Sequence, residues 1–401
     1  MKTFFFFAAC MVFEIMTMLP DSQILWAQDY EGYYQYIGNY PSDREYFISN
    51  ECQGVTHDTS HWFFSTRWKL YKIPVTVDLN ADNTAVAVSQ HVDDLPGNHN
   101  HLGDPDYCSY IDRGYVFVPL EGGIASIAVF WAGDLSFLSQ KEVSQRQDNH
   151  ASWVAIYPVP TDGGRSIYLY SSAWENVSTL QFYRVDLELL YTNGQLTMDY
   201  VGDFSLSITI DGVQGGEFSP SGELLYLSSN SNGISVFHVE NEAGTLLRNS
   251  SKDTEPFKFE WHGGFPDYEE PEGLTIWDLD DGYCPNISGQ LHVVLLDNDS
   301  NDDDLYFKHY THKIYVDEDS TSEYYGKPDQ PYNTVGEAID LAWDGQEIVI
   351  KAGFYPENST IDKKLRLRSK DGTAIFGNEN NIVLAPQGII DIWEDGTLVI
   401  Y

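Results

Sequence analysis

The sequence predicts an all-β protein, and three features carry that expectation. From about residue 30 to 313, apolar runs of four to eight residues recur between Gly, Asn, Asp and Pro, with almost nothing of helical period. The 401 residues include 32 Gly, 17 Pro and 27 Tyr against 5 Met, a composition of short strands and turns rather than of helix bundles. Hydrophobic residues at 42% and aromatics at 14% are too many for a disordered acidic chain, and the length suits about two domains. Asp and Glu outnumber Lys and Arg by 61 to 22, giving a formal charge of -39, so a nucleic acid partner is excluded: a polyanion is repelled and finds no basic stripe.

Residues 1–27 read as a secretory leader. Lys2 precedes Phe4 to Phe7 and the apolar Ala8 to Phe13, a stretch too short to span a bilayer, and Ala27 offers a small residue for cleavage. Lipidation at Cys10 is the alternative use of this segment. No later segment is apolar enough to cross a membrane, so a secreted or cell-surface location is expected. In an exported chain Cys52, Cys108 and Cys284 allow one disulfide and one leftover thiol, unless all three are small buried hydrophobes. Asn176, Asn249, Asn286, Asn298 and Asn358 are sequons that matter only in a eukaryotic pathway.

In residues 28–313 one repeating unit is clearest from Gly215 to Val239, where a strand closes with Ser219-Pro220-Ser221-Gly222, a second runs Glu223 to Ser228 and a third alternates from Gly233. It resembles one blade of a β-propeller of the lactonase and phytase-like kind. Related units cover Gly54 to Val75, Tyr115 to Trp131, Ala151 to Leu187 and Pro271 to Tyr310, which makes five units at a spacing of roughly 50 residues. Tyr33 to Gly38 stands before the first unit, and the fifth lacks a fourth strand, so the expected architecture is a five-bladed ring closed by the N-terminal strand. A pair of β-sandwiches is the alternative reading of the same strand spacing.

Residues 314–401 read differently. Ile314 to Asp317, the loop Gly326 to Pro331, the turn Tyr332-Asn333-Thr334 with a helix after it, and Glu347 to Asn358 resemble the opening of a right-handed parallel β-helix of the pectate-lyase-like class. Further coils are expected at Leu365 to Arg368, Ala374 to Phe376 and Ile382 to Leu384. A solenoid buries its core only by stacking, and no polar cap precedes Tyr401, so the expectation is a truncated solenoid, one covered by a partner, or self-assembly through that end.

In a ring of blades the groups at the ends of inner strands converge, which makes His57, Asp58, Glu217 and Glu272 the candidate catalytic residues and Asp104, Asp106 and Trp277 the candidate ligand contacts. Facing carboxylates suit glycoside hydrolysis, with one protonated and one ionised. His99 and His101 join Asp104 and Asp106 in a metal-like spacing that an ordinary polar loop explains equally well. Calcium has better support: Asp297, Asp299, Asn301 and Asp303 place oxygen ligands at alternate positions, and Asp278 to Gly282 is a poorer run of the same kind. Trp62, Trp68, Trp131, Trp153, Trp174, Trp261 and Trp277 can stack on sugar rings or serve as core. With no nucleophile elbow and no phosphate-cradling loop, the expectation is a secreted or cell-surface binding protein for a glycan or another extracellular component. The rivals are a secreted propeller hydrolase of a carbohydrate, phosphate ester or lactone, with calcium as its candidate cofactor, and a structural subunit.

Overall fold

The computed structural model describes residues 34–400 apart from 43–47, 49–50, 82–86, 144–146, 159–161, 241, 251–258, 260, 262–268, 281, 299–302, 322–325, 343–344, 378–381, 385–388 and 394–396. The leader region and Tyr33 therefore lie outside the described residues.

The chain opens with β1 (Gln35–Asn39) and then builds antiparallel sheets in succession. The first holds β2 (Cys52–His57), β3 (His61–Thr66), β4 (Lys69–Pro74) and β5 (Val88–His91). The second holds β6 (His101–Leu102), β7 (Asp106–Tyr110), β8 (Arg113–Glu121), β9 (Ser126–Trp131) and β10 (Phe137–Glu142). Next come β11 (Ala155–Pro158), β12 (Ser166–Ser171), β13 (Val177–Asp186), the helix α1 (Leu187–Asn193) and β14 (Asp199–Ile210). They are followed by β15 (Val213–Phe218), β16 (Leu224–Ser229), β17 (Gly233–Glu240) and β18 (Ala243–Asn249). These two groups share one eight-stranded sheet, joined only where Ser205 and Leu206 of β14 pair in parallel with Ala243 and Gly244 of β18. The last antiparallel sheet is β19 (Glu269–Ile276), β20 (Leu291–Asn298) and β21 (Asp303–Thr311), with β1 as its fourth strand through the pairs Gln35↔Thr311 and Asn39↔Lys308.

Period-two alternation places these sheets face to face. In β16, Leu225 and Leu227 enter one core while Leu224 and Tyr226 enter the next. In β8, Tyr115 and Phe117 face one core and Val116, Val118 and Leu120 another. Phe63 of β3 packs with β8, whereas Trp62 and Phe64 pack with Val294, Leu305 and Phe307 of the last sheet. Each sheet is thus buried on both faces, and the sequence of cores returns from the last sheet to the first. The first strands β2, β7, β11, β15 and β19 also touch in cyclic order.

Two local expectations need correction. The inner strand of the second unit is β7, upstream of the predicted Tyr115; its Tyr107-Cys108-Ser109-Tyr110 carries too little apolar character to stand out. The chain also forms a helix, α1, which Asp186 caps by accepting the Leu189 N–H and Gly194 ends at φ 66°.

After β21 the pairing becomes parallel. β22 (Ile314–Val316), β23 (Glu347–Tyr355), β25 (Lys364–Phe376) and β27 (Ile389–Trp393) lie side by side, β28 (Thr397–Ile400) also pairs with β25, and β24 (Ser359–Ile361) pairs with β26 (Ile382–Leu384). The two coils predicted at 365–368 and 374–376 are one strand, β25. Helix α2 (Val335–Leu341) starts at Thr334, whose hydroxyl accepts the Glu337 N–H, and the Glu357 carboxylate accepts the Val335 and Gly336 N–H groups at 2.9 and 2.6 Å.

Because β1 supplies the fourth strand of the last sheet, deleting residues 28–40 should strip the edge of β21 and uncover Tyr310. The melting temperature should fall by about 10 °C or more in a thermal scan; an unchanged melt would remove ring closure by this strand.

Candidate functional site

The inner strands leave backbone N–H groups at their edges, and acidic side chains meet them. Asp104, fully buried just before β7, accepts the Val55 N–H of β2 and the Gly216 N–H of β15, each at 3.1 Å, and the Leu274 N–H of β19. Its own backbone bonds to Ser152 and Val154 at 2.8 and 3.2 Å. Asp104 therefore touches every other inner strand or the segment leading into it. Gly54 and Gly273 make this possible: a Cβ on Gly273 would overlap the Asp104 carboxylate and one on Gly54 its backbone.

Two residues further on, the same device repeats. Asp106 accepts the Ile156 N–H at 2.7 Å and its neighbour Tyr107 N–H at 2.6 Å, and Glu217 accepts the Ile276 N–H at 3.2 Å. Burial pushes the Asp104 carboxyl well above the usual range, although the N–H groups pull it back. It pushes Asp106 up to about 7. Burial, and then the charge of Asp106, raise half-buried Glu217 well above its ordinary value. Glu272, 1% exposed, is raised by burial and by Glu270.

Asp104 seals the ring axis at one level, and the remaining groups fall at two ends. At the C-terminal ends of the inner strands, His57 stacks on Trp277 with ring centroids 4.3 Å apart, and its Nε2 and Nδ1 lie 3.0 Å from the Ile276 carbonyl and 2.9 Å from the Asp58 carbonyl. The edge of Trp62 meets the same indole at 4.7 Å. Asp58 accepts the Ser60 and His61 N–H groups at 2.6 and 2.7 Å, holding the β2–β3 turn.

The N-terminal ends gather His101 and Glu272 with groups that sequence reasoning did not select, Gln53, Glu121, His150 and Gln214. His101 Nε2 lies 2.6 Å from Gln53 Oε1, and Glu121 stands between His101 and His150 at 3.7 and 3.4 Å. Gln214 donates to Glu272 at 3.5 Å. Only the fold reveals this set, because Glu121 ends a second strand and the strand order must be known to bring it here. Beside it opens a cavity of about 560 Å³ lined by Asp148, His150, Trp174, Asn176, Thr179 and Gln181. Gln181 is 6% exposed, and its buried Oε1 has no hydrogen-bond partner.

Other predicted groupings are redistributed. His99 and His101 lie toward the rim while Asp104 and Asp106 are committed to backbone N–H groups, and no cluster of three or more His, Cys, Asp or Glu fit to hold a metal occurs among the described residues. Asp278 and Asp280 hold the Lys313 ammonium at 2.8 and 2.9 Å, so a lysine occupies the poorer calcium run. Burial raises Asp280, and the Lys313 charge together with the hydrogen bonds from Tyr315, Lys313 and the Gly289 N–H more than offsets it, holding this carboxyl far below the usual range. Asp299 and Asn301 lie outside the described residues, as does the side chain of Asp303; Asp297 pairs with Asp304 at the base of the β20–β21 hairpin. Cys52, Cys108 and Cys284 are free thiols, so of the two readings the structure has the unpaired one and not the disulfide; Cys52 and Cys284 are buried and share a core without bonding, and Cys108 is half-buried.

No family model matches the sequence, and no curated protein matches it. Solved structures similar to it include a glutaminyl cyclase from Myxococcus xanthus, at 13% identity and TM-score 0.39 over 69% of this chain and 96% of that one. A GH43_1 enzyme from Xanthomonas citri matches at 9% identity and TM-score 0.41, over 69% and 90%. The Dos1 propeller matches at 12% identity and TM-score 0.31, over 64% and 59%. At such values they carry no argument about the chemistry of this chain.

Replacing Asp104 by Ala leaves three buried N–H groups without an acceptor, each worth about 1–3 kcal/mol. Asp104→Asn should rescue poorly, since its NH2 faces one of the two donors that the carboxylate oxygens accept. Urea unfolding should show both variants destabilised, Ala by about 3 kcal/mol or more; a shift below about 1 kcal/mol for Asp104→Ala would contradict the central role given to this carboxyl.

Proposed function

We propose that this chain is an exported glycan-binding protein: a five-bladed β-propeller that takes the saccharide at the N-terminal ends of its inner strands, continued by a right-handed parallel β-helix. The cavity beside Trp174 carries the reading. A sugar ring offers apolar C–H groups to an aromatic face and hydroxyls to amides and carboxylates. Trp174 stands there among Asp148, Asn176, Thr179 and Gln181, and Gln181 has an unpartnered acceptor for a hydroxyl donor. His150 lines the cavity and also faces Glu121, which links the cavity to the polar groups around Gln53 and Glu272.

The central carboxylates support binding over catalysis, because Asp104, Asp106 and Glu217 each accept backbone N–H groups that would otherwise be buried without partners. One observation favours the hydrolase reading: Asp106 and Glu217 interact, and burial raises both carboxyls above their ordinary values, the direction that a glycosidase's acid needs.

A glycan array followed by titration calorimetry tests the site. Trp174→Ala should weaken binding of the best glycan by tenfold or more, about 1.4 kcal/mol, whereas Glu217→Gln and Glu272→Gln should stay within tenfold. Unchanged binding in Trp174→Ala would overturn the site. Turnover of a chromogenic glycoside or phosphate ester that Glu217→Gln or Glu272→Gln slows a hundredfold would install the hydrolase reading.

Calcium at the β20–β21 hairpin, held by Asp297, Asp299, Asn301 and Asp303, completes the proposal. Millimolar calcium should raise thermal stability, by about 2.7 kcal/mol at a hundredfold excess over the dissociation constant, and Asp299→Ala with Asp303→Ala should abolish the rise. No calcium response in the parent chain would remove the ion.

A further inference from the structure

His292 of β20 and His309 of β21 face each other directly across the last sheet, buried among Trp62 and Phe307. Their Nδ1 atoms lie 2.8 Å apart. His292 Nε2 lies 2.8 Å from the Trp277 carbonyl, and His309 Nε2 lies 3.0 Å from the Tyr40 carbonyl. A carbonyl only accepts, so both Nε2 atoms must carry hydrogen. Neutral imidazole has a single N–H, and two such rings would then turn bare lone pairs at each other across the Nδ1 contact. That contact also needs a hydrogen. Four nitrogens in this arrangement require three hydrogens, and two neutral rings supply two.

We propose that His292 and His309 share one additional proton in the folded protein, forming a buried imidazole–imidazolium pair that fastens the ring-closing segment at Tyr40 to the end of β19 at Trp277. A metal ion fits the pair less well. Zn–N bonds of about 2.0–2.1 Å set two imidazole nitrogens about 3.3 Å apart on a tetrahedral ion, and no third ligand joins them among the described residues.

The location gives the proton a mechanical consequence. Tyr40 follows β1, its N–H bonds to the Phe307 carbonyl at 2.8 Å and the Phe307 N–H to the Pro41 carbonyl at 3.0 Å, so the His309 contact is a side-chain tie added to the backbone ties between the closing segment and β21. Trp277 carries the His57 stack at the other end of the relay. Loss of the shared proton leaves one of the three contacts without a hydrogen, either the Nδ1 contact between the rings or one Nε2 tie to a carbonyl, and that contact must open.

The groups facing the pair divide. Asp278 and Asp280, in the turn after β19, favour a positive charge, while His57 of β2 and Lys308 of β21 oppose it. Burial disfavours charge on either ring, lowering His292 to about 4 and His309 well below its ordinary value. The shared proton therefore has to be held by the three contacts against the burial of its charge, and a second proton is opposed further by the charge of the first. The sign of the pH dependence follows. Above the ordinary imidazole value of about 6.5 the unfolded chain binds neither proton and the folded pair keeps one, so stability falls as pH rises until the pair releases it. Below that value the unfolded chain binds two and the folded pair one, so stability falls as pH falls.

Long-range nitrogen–proton NMR on the full chain with labelled histidine, near about pH 7.5, counts the hydrogens directly, with His292→Gln and His309→Gln providing the assignments. Three hydrogens on the four nitrogens, one of them correlated with both Nδ1 atoms, is the expected result. Two hydrogens would overturn the proposal. Independently, the unfolding equilibrium constant of the parent chain should rise, relative to His309→Gln, by about tenfold per pH unit between about pH 7 and the release of the proton. A difference that does not change with pH would overturn it as well, and the NMR count decides the matter even where the variant fails to fold.

Discussion

A ring made of separate sheets has no hydrogen-bond ladder running around its axis, so something else must hold the inner strands to one another. Here Asp104 does it. One carboxyl, fully buried, accepts N–H groups from β2, β15 and β19, while the backbone of the same residue bonds to the segment entering β11. An unpaired N–H buried at four strand edges would be costly, and a single planar acceptor with two oxygens resolves most of that cost at one point. The glycines around it are the other half of the arrangement, because only a backbone without Cβ lets strands approach an occupied axis.

This constraint divides the molecule along its axis. Because the carboxyl occupies the centre, the two ends of the ring are chemically separate. At one end Trp277 meets both His57 and Trp62 in ring contact. The other is polar and layered, with Gln53, His101, Glu121 and His150 in contact and the cavity beside Trp174 opening next to them. The same constraint explains why acidic residues in inner strands are weak evidence of catalysis here. Asp106 and Glu217 repeat the Asp104 solution two residues on, each accepting an N–H from the next strand.

Where the antiparallel part meets the parallel strands, charge again replaces a ladder. Lys313, 3% exposed by side chain, bridges Asp278 and Asp280, and the Tyr315 hydroxyl donates to Asp280 at 2.6 Å. Gln346 then donates to the His312 carbonyl at 2.7 Å, tying the chain leading into β23 to the end of the last sheet. A buried ammonium between two carboxylates tolerates neither a missing partner nor a large reorientation, which fixes how β22 leaves β21.

The sequence by itself determined the strands, the turns between them and the change of character near residue 314. These are local properties: alternation in Leu224 to Ser229 places side chains on both faces, and Thr334 before Val335 starts a helix whatever lies around it. It also pointed to Asp104, Asp106, Glu217 and Glu272, because acidic residues beside glycines at strand ends are locally visible. Their partners were not. Asp104 meets Gly216 across 112 residues, His292 meets Tyr40 only through His309, and Glu121 meets His101 and His150 from a second strand. The strand β7 hides for a related reason, since its side chains are half polar and its place is set by pairing with β8. Which carboxylates serve the backbone and which face a cavity was decided only by the order in which the inner strands close around the axis, because hydrogen-bond partners there are set by ring geometry and not by spacing along the chain.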